Sequence, residues 1–266
     1  MTSQFFDIVL PSGSASIAHT WRGDPSARGP TIVLLHHGLG AVAQWHELPQ
    51  RLHDRTGLTV FAYDRPGYGL SSLRDEGGAV VPHRLATDFM HTEALEVLPA
   101  VLAAAGIEQP ILVGHSDGGS IALIAASAGF DLGILAVASV AAHSYVEPVC
   151  LVGIRAAGAG REAITRGMAR YHQDAAATFD AWHTVWLTPE FASWSIEEQL
   201  ANVTCPVLAV QGSDDEFATE DMLFSIADAV ADARGVELLP DCGHMVHRDQ
   251  PDVIAELLVS FVGELN

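Results

Sequence analysis

Short, nearly continuous apolar runs recur along the chain, and they constrain its fold more than any other feature. They are TIVLLHH (31–37), TVFAYD (59–64), PILVGH (110–115), LGILAVASVAA (132–142) and CPVLAVQG (205–212). A strand with one wet face alternates apolar and polar residues. A run without that alternation suits a parallel strand covered on both faces. Helical patterns fill the intervals: WHELPQRLHDRTG after the first run, ALEVLPAVLAAAG before the third, DMLFSIADAVADARG after the fifth. Near the start, FDIVLPSGSASIAHTWRG reads as a hairpin turning at PSGS. GVELLP and DVIAELLVSFVGEL supply a closing strand and a last helix. Strands alternating with helices in this way specify an α/β fold with a mostly parallel sheet.

Residues 144–200 break the rhythm. They hold no convincing strand but many helix formers, with Arg155, Arg161, Arg166, Arg170, Trp182, Trp186 and Trp194. We read them as a helical insertion in a core made of 1–143 and 201–266. At 266 residues, such a chain can bury a substantial core.

The composition bounds the partners. The chain carries 33 Asp and Glu against 13 basic residues, all arginine, for a formal charge of -20. Nucleic acid and anionic membrane surfaces are therefore not expected partners, because both need clustered positive charge. A small-molecule substrate is. No apolar run is long enough to span a bilayer, and MTSQFFDIVLPSGS lacks the form of a secretory signal. The expected location is the cytoplasm. Cys150, Cys205 and Cys242 match no zinc or redox spacing and read as reduced thiols. Thirteen histidines include no HExxH, so no metal is expected.

One stretch carries chemistry. Gly114-His115-Ser116-Asp117-Gly118 fits G-x-S-x-G, with a strand pattern before it and a helix pattern after it. A serine on so sharp a turn needs neighbours without side chains. The turn would set its hydroxyl at a helix amino terminus, where peptide dipoles favour developing negative charge. A Walker-type phosphate loop is excluded because the chain has no lysine. A dinucleotide fingerprint would follow the first strand of the sheet. Serine needs a base to take its proton, and an acid and a histidine should follow it in chain order. They do: VLAVQGSDDEF ends a strand at Gly212-Ser213-Asp214-Asp215, and VELLPDCGHMVHRDQP brings Gly243-His244.

These segments resemble an α/β-hydrolase-fold serine hydrolase. LLHHGLGAVAQW is similar to that family's His-Gly oxyanion loop, and YDRPGYGLSS to its Asp-Arg-x-Gly-x-Gly-x-Ser segment. The resemblance implies an eight-stranded, mostly parallel sheet flanked by helices, with residues 144–200 as a helical cap after the sixth strand. It implies Ser116 as nucleophile, His244 as general base and Asp215 as orienting acid, with Asp214 the alternative if the turn is displaced by one. It places the backbone N–H groups of Leu39 and Asp117 in the oxyanion hole, where a donor is worth ~3–4 kcal/mol. His37 is expected to shape its loop, and Asp64 and Arg65 to stabilise theirs. His247 is expected at the surface or facing the cap. The Asp117 side chain departs from the usual apolar residue or Gln. A carboxylate beside an oxyanion would oppose catalysis, so it is expected to point away, held by the helix dipole or by an arginine or histidine.

The resemblance also implies no metal or organic cofactor. Hydrolysis of a small to medium carboxylic ester is the expected reaction. Carbon–carbon hydrolases of ring-cleavage products, lactonases, thioesterases, a menaquinone-pathway lyase and haloperoxidase-like members share the constellation. So do ligand receptors of the same fold, and the sequence leaves these alternatives open.

Overall fold

The computed structural model describes residues 3–265. The strands are β1 (Gln4–Leu10), β2 (Gly13–Arg22), β3 (Thr31–Leu35), β4 (Thr59–Tyr63), β5 (Ser72–Arg74), β6 (Pro110–His115), β7 (Ala136–Val140), β8 (Val207–Gly212) and β9 (Ala233–Leu239). They form one nine-stranded sheet in the order β1-β2-β4-β3-β6-β7-β8-β9, with β5 beside β2. The eight strands of the main path are those the sequence patterns mark. Three-residue β5 is too short to leave a pattern of its own.

β1, β2 and β5 pair antiparallel, and β2 pairs antiparallel with β4. All pairs from β4 through β3, β6, β7 and β8 to β9 are parallel. The unbroken apolar runs now have a physical reason. In β3, Val33 and Leu35 enter one core while Ile32 and Leu34 enter a second on the opposite face. In β6, Leu112 faces the first core, and Ile111 and Val113 the second.

Helices cover both faces. They are α1 (Leu48–Thr56), α2 (Phe89–Thr92), α3 (Leu98–Ala105), α4 (Asp117–Ala126), α5 (Pro148–Ala159), α6 (Arg161–Met168), α7 (Ala175–Trp186), α8 (Glu197–Leu200), α9 (Glu220–Ala229), α10 (Val246–Asp249) and α11 (Pro251–Gly263). A π-helical turn, Glu93–Val97, joins α2 to α3. Proline sits in the first turn of α1, α5 and α11, where its missing N–H costs no intrahelical bond.

Helices α5 to α8 lie within residues 144–200. The neck of this insertion is pinned: Ile196 N–H donates to Ser144 O at 2.7 Å, and Tyr145 pairs with Ser195 as an isolated antiparallel bridge. Among the described residues, no helix is long and apolar enough to cross a membrane.

Candidate active site

The loops that follow β3, β6, β8 and β9 meet at the carboxyl edge of the parallel strands, the usual place for a site in such a sheet. Ser116 stands between the end of β6 and the start of α4 with φ 55° and ψ -123°. A left-handed φ at a non-glycine residue costs on the order of 1–3 kcal/mol, so the surroundings must enforce it. Here they do. Ser116 N–H donates to Val140 O at 2.8 Å, and Ser116 O accepts from Gly119 N–H at 2.8 Å. The glycines have a steric cause: a Cβ on Gly114 would strike the Gly118 carbonyl, and one on Gly118 the Leu35 carbonyl.

His244 follows β9, and its Nε2 lies 2.9 Å from Ser116 Oγ. Its Nδ1 lies 2.9 Å from both carboxylate oxygens of Asp215. An ionised carboxylate can only accept, so Nδ1 carries the proton and Nε2 is free to accept from the serine hydroxyl. Burial would raise the Asp215 pKa, but the His244 charge and hydrogen bond, with Phe217 N–H at 2.8 Å, hold it below its ordinary value. Asp214 is exposed, and its carboxylate accepts from the Ser213 hydroxyl at 3.3 Å. Of the two adjacent acids, Asp215 is the one in contact with His244. The His244 backbone is held as well: its N–H donates to Glu216 at 3.2 Å, and its carbonyl accepts from His115 Nε2 at 2.8 Å.

Asp117 is the first residue of α4, whose opening N–H groups have no acceptor within the helix. Leu39 N–H makes only a long contact, 3.3 Å, to His37 Nδ1. Leu39, Asp117 and Ser116 line one cavity. The loop that carries Leu39 is held from beneath. Arg65 N–H donates to His36 Nε2 at 3.0 Å, and Arg65 Nη2 donates to the His37 carbonyl at 3.2 Å. Asp64 accepts from the N–H groups of Val42 (2.6 Å) and Leu70 (2.8 Å). His37, Asp64 and Arg65 thus make loop contacts.

Comparison with known proteins fits this arrangement. The family model for the alpha/beta hydrolase family matches residues 32–257. The chain belongs to the alpha/beta hydrolase family. A proline iminopeptidase from Lactobacillus delbrueckii subsp. lactis is 29% identical over 121 residues, which are 46% of this chain and 38% of that protein. The match thus spans well under half of the iminopeptidase. The 2-hydroxy-6-oxo-6-phenylhexa-2,4-dienoate hydrolase of Comamonas testosteroni is 23% identical across 98% of this chain and 96% of its own. A thermophilic esterase from Thermogutta terrifontis superposes with a TM-score of 0.74 at 16% identity, covering 98% of this chain and 99% of its own.

In this alpha/beta hydrolase, residues of the insertion line part of a cavity of about 140 Å³. Its walls are mostly apolar, with Ile154, Ile164, Trp182, Trp186 and Phe217. None of the insertion's arginines lines it. Arg161 instead pairs with Asp180 through two hydrogen bonds of 2.6 and 2.7 Å, and Arg166 with Glu162 at 2.7 Å.

One side chain sits elsewhere than the sequence suggests. His247 is not at the surface: it is buried, with Trp45 and His115 each 4.9 Å away between ring centroids. The short helix α10 turns it inward. The Asp117 side chain is buried with Arg65, the expected arginine, 3.8 Å from its carboxylate, and both of its oxygens are closed to solvent.

Two carboxylates were not singled out from sequence. Glu216 lines the cavity, and Glu93 is buried near the Arg65 charge. Glu93 did leave a signal, because it shares helical spacing with buried Val97 and Val101 and so puts a carboxylate on an apolar stripe.

Proposed function

We propose that this protein is a serine hydrolase that cleaves small carboxylic esters through an acyl-enzyme. One observation carries the reading: His244 Nε2 lies 2.9 Å from a strained Ser116 Oγ that faces a cavity. His244 takes the hydroxyl proton as Oγ attacks the ester carbonyl, and Asp215 fixes the imidazole tautomer. The negative oxygen rests on the Leu39 and Asp117 N–H groups. His244 then protonates the leaving alcohol. Water, deprotonated by the same imidazole, attacks the acyl carbon and releases the acid.

The cavity favours a small acyl group, since a cavity near 150 Å³ holds a benzene-sized molecule. A fluorophosphonate probe tests the nucleophile: it should label the wild type and not Ser116→Ala. An unlabelled wild type at neutral pH would overturn the reading. The full-length likeness to the Comamonas testosteroni dienoate hydrolase favours a second reading, carbon–carbon cleavage of a dienone, by the same residues. A panel of p-nitrophenyl esters beside such a dienone separates the two. Turnover of the dienone alone would replace esters as the substrate class. Residues 144–200 act, in either reading, as a cap that sizes the substrate, and the protein works in the cytoplasm.

A further inference from the structure

One contact between the insertion and the core reaches the residue that carries the Leu39 amide. His172 lies between α6 and α7, and its side chain is buried. Both ring nitrogens are engaged, each by a different loop of the core. Gly69 N–H donates to Nδ1 at 3.0 Å. With Nδ1 accepting, the neutral ring carries its proton on Nε2, and Nε2 donates to the Leu39 carbonyl at 3.2 Å. Burial lowers the His172 pKa, which keeps the ring neutral near pH 7.

The two loops that the imidazole joins are fixed unequally. The loop after β4 has anchors of its own. Gly69 takes φ 52°, where a Cβ would strike the Asp64 carboxylate. Its carbonyl accepts from Gln173 N–H at 2.9 Å, and Gln173 Nε2 donates to the Leu70 carbonyl at 2.7 Å. That loop is a firm base for the ring. The loop after β3 turns from His37 to Gly40, closed by Gly40 N–H donating to His37 O at 2.9 Å. The His37 carbonyl also accepts from Arg65 Nη2 at 3.2 Å and His36 Nδ1 at 2.8 Å. Leu39 lies inside this turn. Its N–H makes only the long contact to His37, and its carbonyl is held by His172. The N–H and C=O of one residue share an α-carbon, so whatever holds the carbonyl also limits where the amide can point. His172 does not line the cavity, so its influence on a reaction there passes through Leu39.

We propose that His172 is a positioning residue that sets the Leu39 N–H of the oxyanion hole, which is complete only while the insertion is seated on the core. The proposal rests on the serine hydrolase reading above. It gives the insertion a part in transition-state stabilisation as well as in walling the cavity.

Two substitutions separate the two bonds. His172→Asn keeps an amide near the place of Nδ1, able to accept from Gly69 N–H, and is too short to reach Leu39. His172→Gln carries its amide out to the place of Nε2 and can still donate to the Leu39 carbonyl. With p-nitrophenyl butyrate near pH 7, His172→Asn should lower kcat by roughly tenfold to a hundredfold. KM should stay within about twofold, because acylation and deacylation use the same hole. Phenylboronic acid, whose adduct with Ser116 puts an oxygen in the hole, should bind more weakly by the same factor as kcat falls. His172→Gln should keep kcat within about threefold of wild type. Gln173→Ala cuts a neighbouring bond between insertion and core but none to Leu39, and should leave kcat unchanged.

A folded His172→Asn variant with wild-type kcat and boronate affinity overturns the proposal. So does a loss that Gln173→Ala matches, since any loosening of the insertion would then suffice. If His172→Asn does not fold, His172→Gln decides: a folded variant that keeps kcat supports the proposal, and one that loses it as predicted for Asn overturns it. Fluorophosphonate separates this proposal from the reading beneath it. If wild-type Ser116 is labelled, the variants judge His172 alone; if it is not, the hydrolase reading falls and this proposal with it. Should a labelled wild type spare the butyrate, the labelling rates of the same variants replace kcat.

Discussion

The α-carbon of Gly118 lies against the carbonyl oxygen of Leu35, so close that a methyl group there would overlap it. Both atoms are backbone, one in α4 and one at the end of β3, and neither can swing aside as a side chain would. Gly118→Ala must therefore shift the helix that presents Ser116. The expected outcome is a loss of stability of about 2–3 kcal/mol, seen in urea unfolding. Loss of fluorophosphonate labelling should accompany it. A variant as stable and as reactive as wild type would show that the close approach does not hold the turn.

Asp214 and Asp215 should separate sharply in kinetics. Asp215→Asn leaves a side chain of the same shape that can no longer hold the required tautomer, and kcat should fall by roughly 10⁴. Asp214→Asn touches an exposed carboxylate bonded to Ser213, and kcat should change by less than about twofold. The reverse pattern would move the orienting role to Asp214.

Ile154 on α5 is buried and lines the cavity. Ile154→Ala should lengthen the acceptable acyl chain. Each added methylene that becomes buried gains ~0.8 kcal/mol, about fourfold in kcat/KM. The p-nitrophenyl hexanoate to butyrate ratio should rise accordingly, with a stability cost of about 2–5 kcal/mol. An unchanged ratio would mean that the acyl chain lies elsewhere.

Stability should fall on mild acidification, and the sign follows from opposed groups. His83, His143 and His247 are each pushed down to about 4 by burial. Unfolded histidines take up protons near pH 6.5, so these three destabilise the fold as pH drops from there toward about 4. Burial raises Asp64 and Asp117 to about 6 and Glu93 to about 7. The folded state then binds protons that the unfolded chain does not, which stabilises it over much the same window. These opposed sets roughly cancel. His36, His37 and His115, held well below the ordinary range chiefly by burial, decide the balance toward destabilisation. Thermal unfolding should show Tm falling between about pH 6.5 and 4.5; a rise would mean that the carboxylates dominate.

The sheet was legible because parallel strands buried on both faces lose their alternation, as β3 and β6 do, and nothing but tertiary burial explains such runs. The turn at Ser116 was legible because local sterics forbid a Cβ at Gly114 and Gly118, and a local prohibition leaves a local mark. Chain order marked His244 and narrowed the acid to two neighbours. Tertiary structure alone decided between those neighbours, because a one-residue displacement in the loop after β8 exchanges which carboxylate meets an imidazole from β9. It alone turned His247 inward and set Asp117 and Glu93 near Arg65. Periodicity along one segment reports how deeply a residue is buried. Which atom it then faces depends on how segments distant in the chain are registered and packed, and no single segment encodes that.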